Sequence, residues 1–295
     1  MADRSKLGAA LALGALAIAW GAIPLLVRND VPSTGLVGVR VAFGAIALIA
    51  VAGFLRKLVW PDQMLGRLIF SGVLLAAHWA TFFEAVKHTS VAIALAILYI
   101  GPILAALLSG PVLKEHVPPR LWGALAIAAA GTLLVIQPWV SGSDQFVTTR
   151  GLVMAAISAA LLTALLLIGK PVAQGLGGLT MAIGELTVAA IVLLVPTVRA
   201  VQDHPDQMLN FIILGALLTG LAGYVYWEAM ARLPLASVSV IMYIEPASAV
   251  VWAALFLDEV PNATGWIGVA LVLIAGAVAA SASAEEEAYG APATL

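Results

Sequence analysis

The sequence has few charged residues and no cysteine, and both shortages restrict what the protein can be. Only 10% of its 295 residues are charged, whereas a soluble domain usually has about 25%. The absence of cysteine excludes disulfides, thiol catalysis and cysteine-ligated metals. The net charge is only −2 and no basic stretch occurs, which excludes a nucleic-acid-binding chain.

Apolar residues dominate instead, at 62% of the chain with a mean hydropathy of +1.06. A water-soluble globule cannot bury this much apolar surface, so the composition indicates an integral membrane protein. The apolar runs are long and continuous, whereas barrel strands alternate in polarity over about ten residues. We therefore predict an all-α integral membrane fold.

Hydropathy predicts ten membrane-spanning helices, each near the ~20 apolar residues that a bilayer requires. The first run is longer than the apolar part of a signal peptide and lacks a clear cleavage site, so we interpret it as a helix. More lysine and arginine residues fall on the N-terminal side of the membrane, which predicts that both termini are cytoplasmic. The predicted ranges are 7–27, 34–55, 66–86, 90–112, 120–138, 151–169, 179–200, 210–231, 235–257 and 263–281.

The chain repeats itself at a spacing of about 144 residues. Segment 82–115 is identical to segment 226–259 at ten of 34 positions. We therefore divide the chain into a first five-helix repeat (1–140) and a second (141–295) with a short polar tail. Because five is odd, the two copies insert in opposite orientations, an arrangement common in secondary transporters with a midplane site. The predicted fold is thus two inverted five-helix repeats around a central cavity.

The motifs shared by the two copies or placed at matching helix ends are Glu84–Ser90, Pro102, Leu113–Glu115, Glu245–Pro246 and Leu257–Glu259. They resemble those of the drug/metabolite transporter superfamily, EamA type, over essentially the whole chain. Within it, the chain is most similar to the YddG-type exporters of aromatic and other amino acids. This resemblance implies a secondary transporter in the bacterial inner membrane that exports amino acids or similar amphipathic metabolites by alternating access. It also implies no cofactor.

Glu245 is the carboxylate predicted to lie deepest in the membrane. It is ten residues into a helix that begins near Leu235, or about 15 Å from the start, and a charge at that depth is costly. One interpretation is a cavity carboxylate that receives a substrate ammonium group or a proton. The other is a hydrogen-bonded side chain that caps backbone freed by Pro246.

The remaining intramembrane charges are interpreted as structural. Glu84 and Glu228 fall at helix ends, where snorkelling or capping is typical. Arg40 and Glu185 fall about six residues into their helices, and we interpret both as interfacial anchors that do not pair with each other.

Aromatic residues and His78 supply the other candidate substrate-binding positions. Tyr99 and Tyr243 are repeat-related, so the pseudo-axis predicts that both meet at the cavity, although mid-membrane aromatics often only pack against helices. His78 is interpreted either as a substrate or proton group or as a satisfied polar contact. The predicted substrate-binding set is Trp20, His78, Trp79, Tyr99, Tyr224, Trp227, Tyr243 and Glu245. Four tryptophans near helix ends are predicted interface anchors: Trp60, Trp122, Trp139 and Trp266.

Prolines within the predicted helices remove backbone donors and loosen the preceding turn. They are interpreted either as hinges for alternating access or as static kinks. The predicted hinge residues are Pro24, Gly101, Pro102, Pro171 and Pro246.

Three other functions compete with an amino-acid exporter. An exporter of other metabolites or cationic drugs has the same architecture, and a channel or non-transporting scaffold is not excluded by the repeat. A membrane enzyme is disfavoured because the four histidines fall in separate segments and no Asp-rich metal motif occurs. No phosphate-binding loop is present, so ATP hydrolysis is not expected. The expected partners are a small-molecule substrate and the lipid bilayer, and homo-oligomerisation is left open.

Overall fold

A computed structural model describes residues 3–26, 31–57, 63–89, 91–139, 147–258 and 260–289, with side chains from residue 6 to 282 within those ranges. Over these residues the chain is helical and contains no strand. Trp60 and Glu259 lie outside the described residues. Within the described ranges, nine helical segments are long and apolar enough to cross a membrane, and a tenth span is obtained when one bent pair of helices is counted as a single span. The predicted all-α membrane fold is confirmed.

The first five spans comprise seven helices because two spans are interrupted. Span 1 contains α1 and a short α2, and span 4 is divided between α5 and α6. The helices are α1 (Asp3–Gly21), α2 (Ile23–Leu26), α3 (Ser33–Phe54), α4 (Leu65–His88), α5 (Val91–Leu98), α6 (Ile100–Leu113) and α7 (Pro119–Ile136).

The second five spans carry more irregularities. Span 8 contains a nine-residue π-helical segment, Ile213–Leu221, between α11 and α12. Span 9 is divided between α13 and α14. The helices are α8 (Thr149–Leu176), α9 (Gly178–Val192), α10 (Leu194–Asp203), α11 (Met208–Ile212), α12 (Ala222–Arg232), α13 (Leu235–Met242), α14 (Ile244–Phe256) and α15 (Ala263–Tyr289).

Span 7 departs from the predicted single helix over 179–200. The chain bends by 76° between α9 and α10, so the two helices do not form one straight span. Hydropathy does not detect this bend because the residues on both sides of Leu193 are apolar. Pro196, in the first turn of α10, needs no intrahelical donor there and suits a new helix start.

Repeat-related breaks divide spans 4 and 9 at Tyr99 and Tyr243. In each copy a proline follows three residues later, Pro102 or Pro246. A proline has no N–H to donate to the carbonyl four residues before it, so the turn that precedes it is weakened. The same sequence feature therefore produces the same break in both repeats.

Helices of the first half pack against helices of the second half rather than only against each other. Helix α4 lies against α8 and α9, α3 lies against α9 and the π segment, and α1 lies against α12 and α14. Small residues permit these close crossings. At Gly21, for example, a Cβ atom would meet Ser248 and the backbone of Ala249.

Gly131 and Gly123 provide a matched pair for testing this packing because both lie in α7. A Cβ atom on Gly131 would lie 2.9 Å from the Gly268 carbonyl oxygen and 3.0 Å from Leu271 Cβ, whereas a Cβ on Gly123 would meet nothing within 4 Å. We expect Gly131→Ala to lower the free energy of unfolding by roughly 1–3 kcal/mol. Gly123→Ala should leave it unchanged or raise it by up to about 1 kcal/mol through helix propensity. Thermal unfolding of the detergent-solubilised protein checks both values, and equal effects would contradict the packing account.

Three tryptophans at span ends face outwards. Trp122, Trp139 and Trp266 are 36%, 60% and 43% exposed, and they lie near the ends of α7 and the start of α15. This placement matches that of an aromatic belt at the membrane interface.

Candidate functional site

A central cavity of about 600 Å³ lies between the two halves of the bundle. Its walls are mostly apolar and aromatic, with a few polar groups at mid-depth. At one end it extends past Phe82 to Val86 and Val91, where α4 ends and α5 begins. The polar and ionisable lining residues are Arg40, His78, Tyr99, Glu185, Thr219, Tyr226, Ser239 and Glu245.

Glu245 and Arg40 place opposite charges in this cavity, one from each half. Glu245 lies in the first turn of α14, two residues after the break at Tyr243, and the Tyr99 hydroxyl donates a hydrogen bond to its carboxylate. Arg40 interacts electrostatically with Glu245, yet the ion pairs within 4 Å in the described part of the chain do not include these two side chains. The two charged groups therefore line the same cavity with their nitrogen and oxygen atoms more than 4 Å apart.

The Arg40 guanidinium is held by two other contacts. Its Nε donates to Thr219 Oγ1 at 3.1 Å, and its central carbon lies 4.8 Å from the ring centroid of Trp79. Stacking on an indole face stabilises a guanidinium without neutralising it. These contacts fix the side chain along the wall of the cavity.

The π segment of span 8 provides part of this support. Its wider turn gives Thr219 a carbonyl five residues back as acceptor, at 2.8 Å in Leu214. The Trp20 indole donates to the Leu218 carbonyl at 2.8 Å. Single π turns inside helices are frequent at functional sites, and here the distortion anchors side chains from spans 1 and 2.

Glu185 is the second cavity carboxylate, at mid-length in α9. The side chain is 4% exposed, and its Oε2 has no hydrogen-bond partner among the described residues. The Trp227 indole donates to the carboxylate, and Tyr226 lies close enough to interact with both Glu185 and Glu245. Glu185 therefore places beside the cavity a buried carboxylate oxygen that no described residue hydrogen-bonds.

Most of the predicted substrate-binding side chains lie around this cavity. Two do not: Tyr224 packs into the apolar core, and Tyr243 is only 1% exposed. The predicted residues among the lining are Trp20, His78, Trp79, Tyr99, Trp227 and Glu245.

The placement of Tyr243 corrects the expectation that both repeat-related tyrosines reach the cavity. Their rings lie together with centroids 5.3 Å apart, as the pseudo-axis predicts. However, the Tyr243 hydroxyl donates to the Tyr99 carbonyl at 2.6 Å. Tyr243 therefore supports the broken turn of span 4 from behind, and only Tyr99 faces the cavity.

His78 is held by span 6. Its Nδ1 lies 3.1 Å from the Ser158 carbonyl oxygen and 2.9 Å from Ser158 Oγ, and that hydroxyl donates to the His78 carbonyl. This reciprocal contact is the satisfied polar interaction that was one of its two interpretations.

The predicted hinge residues differ in their surroundings. Pro24 follows the interruption between α1 and α2, and Gly101, Pro102 and Pro246 follow the breaks at the two tyrosines. Pro171, by contrast, lies inside the continuous helix α8. The structure therefore shows no break at Pro171, and a hinge at this position has no structural support.

Arg40 and Glu185 are candidate site residues that the predicted substrate-binding set does not contain. The interpretation of both as interfacial anchors was wrong, because each lines the cavity. The available signal was their charge inside a predicted span, which by itself suggests a functional role. Their shallow position along the helix favours an interfacial anchor, but depth does not show which side of the helix a residue occupies.

The carboxylates of Glu84 and Glu228, at helix ends, make capping and ion-pair contacts. Glu228 Oε2 accepts from the Gly178 N–H at 3.0 Å, which caps the start of α9. Glu84 Oε1 lies 2.6 Å from Arg150 Nη2 and 3.1 Å from His88 Nε2. Neither lines the cavity.

At the end of the bundle that contains the start of α1, the halves are joined by a polar cluster. Lys170 Nζ lies 2.6 Å from Glu115 Oε1 and also donates to the Leu233 carbonyl. Glu115 Oε2 accepts from the Leu235 N–H at 2.8 Å. Lys170 was predicted to follow span 6, but α8 continues to Leu176 and buries it. We call Lys170, Glu115, Leu233 and Leu235 the closing cluster.

Comparison with known proteins agrees with this architecture. An uncharacterised transporter of Bacillus subtilis (strain 168), YwfM, is 25% identical over 246 residues, which cover 79% of this chain and 81% of that protein. The threonine/homoserine exporter RhtA of Escherichia coli (strain K12) is 28% identical over 231 residues, which cover 78% and 75%. A crystal structure with 20% identity superposes with a TM-score of 0.74 over 92% of this chain and 97% of the other, which shows a shared fold.

The model of the EamA-like transporter family matches the chain twice, over residues 6–137 and 149–281. Together the matches cover most of the sequence, one in each half. Membership of a transporter family also excludes the membrane-enzyme alternative. The chain is a multi-pass membrane protein that belongs to the EamA-like transporter family, within the drug/metabolite transporter superfamily.

Proposed function

We propose that the protein exports amino acids by alternating access and that Arg40 and Glu245 hold the two charged ends of the substrate. The observation that carries this proposal is the pair of separated opposite charges in an otherwise apolar cavity. A zwitterion presents a carboxylate and an ammonium group a short distance apart. Arg40 suits the carboxylate because guanidinium donors match its geometry, and Glu245 with Tyr99 suits the ammonium group.

The cavity walls supply the surface for the substrate side chain. Trp20, Trp79 and Tyr226 line it, and the Trp20 and Tyr226 rings lie 5.7 Å apart. Ligand sites of this kind are mostly apolar with a few placed polar groups. The relative with a named substrate exports threonine and homoserine, which supports amino acids as a class. A preference for aromatic amino acids, as in YddG-type exporters, remains part of the proposal.

Alternating access requires that one end of the cavity be closed while the other is accessible. The closing cluster joins α6, α8 and α13 at one end, and the cavity extends towards the opposite end. With both termini cytoplasmic in the bacterial inner membrane, the structure is an outward-facing state. In this proposal the halves 1–140 and 141–295 move against each other, with the breaks at Tyr99 and Tyr243 as hinges.

Counterflow in proteoliposomes tests the proposal. The purified protein is reconstituted with a high internal concentration of one unlabelled amino acid, and uptake of the same labelled amino acid is followed. We expect a transient overshoot with threonine, homoserine or an aromatic amino acid, and saturation with external concentration. Absence of overshoot for every amino acid would contradict the proposal, and an overshoot only with a quaternary ammonium compound would indicate a drug exporter. Linear flux without saturation would indicate a channel.

A further inference from the structure

The cavity contains one more negative charge than it needs to bind a zwitterion. Arg40 balances Glu245, but Glu185 has no Lys, Arg or His nitrogen within 4 Å in the described part of the chain. An isolated ionised carboxylate in an apolar interior is very costly. Glu185 therefore needs a positive charge from outside the protein.

The groups around Glu185 do not supply that charge. Helix α9 packs against α3, α4, α8, α10, α12 and the π segment. Helix α12 brings Trp227, which donates a hydrogen bond, and Tyr226, which is neutral. The cations of the packed helices are engaged elsewhere or lie on exposed surface. They are Arg40 with Glu245 and Thr219, His78 with Ser158, Lys170 with Glu115, Lys87, His88 and Arg150 with Glu84, Arg232 with Glu228, and the exposed Arg67 and Arg199.

We propose that Glu185 is a proton-binding site that couples export of the substrate to entry of protons, and this proposal rests on the proposed function. Glu185 lines the same cavity as the charge pair, and its Oε2 is buried without a partner among the described residues. A proton on Glu185 and a substrate in the cavity therefore influence each other. With Glu185 ionised, the cavity has a net negative charge that attracts the substrate ammonium group. With Glu185 protonated, that attraction is lost.

Substrate and proton therefore disfavour each other's binding, as thermodynamic linkage requires. The ionised carrier binds substrate at the cytoplasmic side and releases it outside, where Glu185 then accepts a proton. The protonated carrier returns and releases the proton to the cytoplasm. One proton enters for each zwitterion that leaves, so each cycle moves one positive charge inwards.

Tyr226 is placed to communicate between the two carboxylates. It lies close to both Glu185 and Glu245 and stacks near Trp20. A change of charge at Glu185 therefore alters the electrostatic potential at Glu245, the proposed site of the substrate ammonium group, over a short distance.

The test distinguishes amino-acid exchange, measured as counterflow, from amino-acid accumulation driven by a pH gradient. Wild-type proteoliposomes with an acidic interior and the membrane potential clamped at zero should accumulate a labelled amino acid about tenfold for each pH unit of gradient. Glu185→Gln should still show counterflow, with weaker substrate affinity, but should not accumulate substrate. Glu185→Asp should retain accumulation, which shows that loss in Glu185→Gln is not a folding defect. Asp203→Asn, an exposed carboxylate in α10, serves as the matched control.

Three outcomes would overturn the assignment. Undiminished accumulation by Glu185→Gln would show that the proton binds elsewhere, and wild-type counterflow without any pH-driven accumulation would show uncoupled transport. A preference of the wild type for diamino acids that Glu185→Gln alone removes would assign the carboxylate to a second substrate ammonium group. In each case counterflow by the wild type leaves the proposed function standing, whereas its absence would remove that function instead.

Discussion

Replacing Arg40 by glutamine is expected to reduce amino-acid counterflow at subsaturating substrate by about a hundredfold. The substitution removes the group proposed to bind the substrate carboxylate and leaves Glu245 without its counter-charge. Loss of one member of a desolvated charge pair costs about 2–5 kcal/mol, and each 1.4 kcal/mol is roughly a factor of ten in affinity. Glutamine can retain a hydrogen bond to Thr219, so the change is directed at charge rather than at packing.

Arg40→Lys separates charge from geometry. Lysine preserves the positive charge but lacks the planar donors and the stacking on Trp79, so we expect an intermediate loss of about tenfold. Arg199→Gln, at an exposed position of α10, should leave counterflow unchanged. If Arg40→Gln transports with wild-type affinity, Arg40 is a structural residue and the zwitterion site lies elsewhere.

Breaking the closing cluster is expected to open the N-terminal end of the cavity. Lys170 is buried, and removing one partner of a buried ion pair costs roughly 3 kcal/mol or more. In Lys170→Ala, Glu115 loses its ion pair, and α8 loses its hydrogen bond to the Leu233 carbonyl just before α13. The observed arrangement, which the proposed function assigns as outward-facing, is therefore destabilised relative to states in which α6, α8 and α13 separate.

The natural absence of cysteine makes this prediction simple to measure. A single cysteine at Val238, which lines the cavity and is 1% exposed, reports access from the cytoplasmic side in inverted vesicles. Lys170→Ala should increase the rate of labelling by a membrane-impermeant thiol reagent at least about tenfold. Lys57→Ala, on the exposed surface, is the control. Equal labelling rates in all three proteins would show that the cluster does not hold this end closed.

Element positions followed directly from the sequence, because ten apolar runs of the right length admit few other folds. The predicted helix over 34–55 is observed as Ser33–Phe54, and the one over 235–257 as Leu235–Phe256. The bend at Leu193 and the π segment were not predictable from hydropathy. Both are set by packing, since the bend brings Leu193 and Thr197 against Gly38 and the π segment lies against Gly44.

The site was predicted less completely than the fold, and Arg40 shows why. Hydropathy places a residue along the membrane normal but does not specify its direction around the helix. Glu245 was recognised because its depth alone was unusual. Arg40 and Glu185 needed the knowledge that their helices face the other half of the molecule, which only the tertiary arrangement provides.

Tyr99 and Tyr243 show a second limit. They are equivalent in sequence, and both lie beside repeat-related helix breaks. Their roles differ because the Tyr99 ring faces the cavity, whereas the Tyr243 hydroxyl donates to the Tyr99 carbonyl. Internal symmetry of the sequence thus predicts that two residues meet, but not which of them contacts a substrate.

A competition assay on the purified protein tests most directly whether Arg40 and Glu245 hold the two charged ends of the substrate. A labelled amino acid that gives counterflow is displaced by the same compound, by its methyl ester, which lacks the carboxylate, and by its deaminated acid, which lacks the ammonium group. If Arg40 and Glu245 hold the two ends, both analogues should compete at least about tenfold more weakly than the intact zwitterion. Displacement by either analogue with the affinity of the amino acid would contradict the assignment of that charged residue to the site.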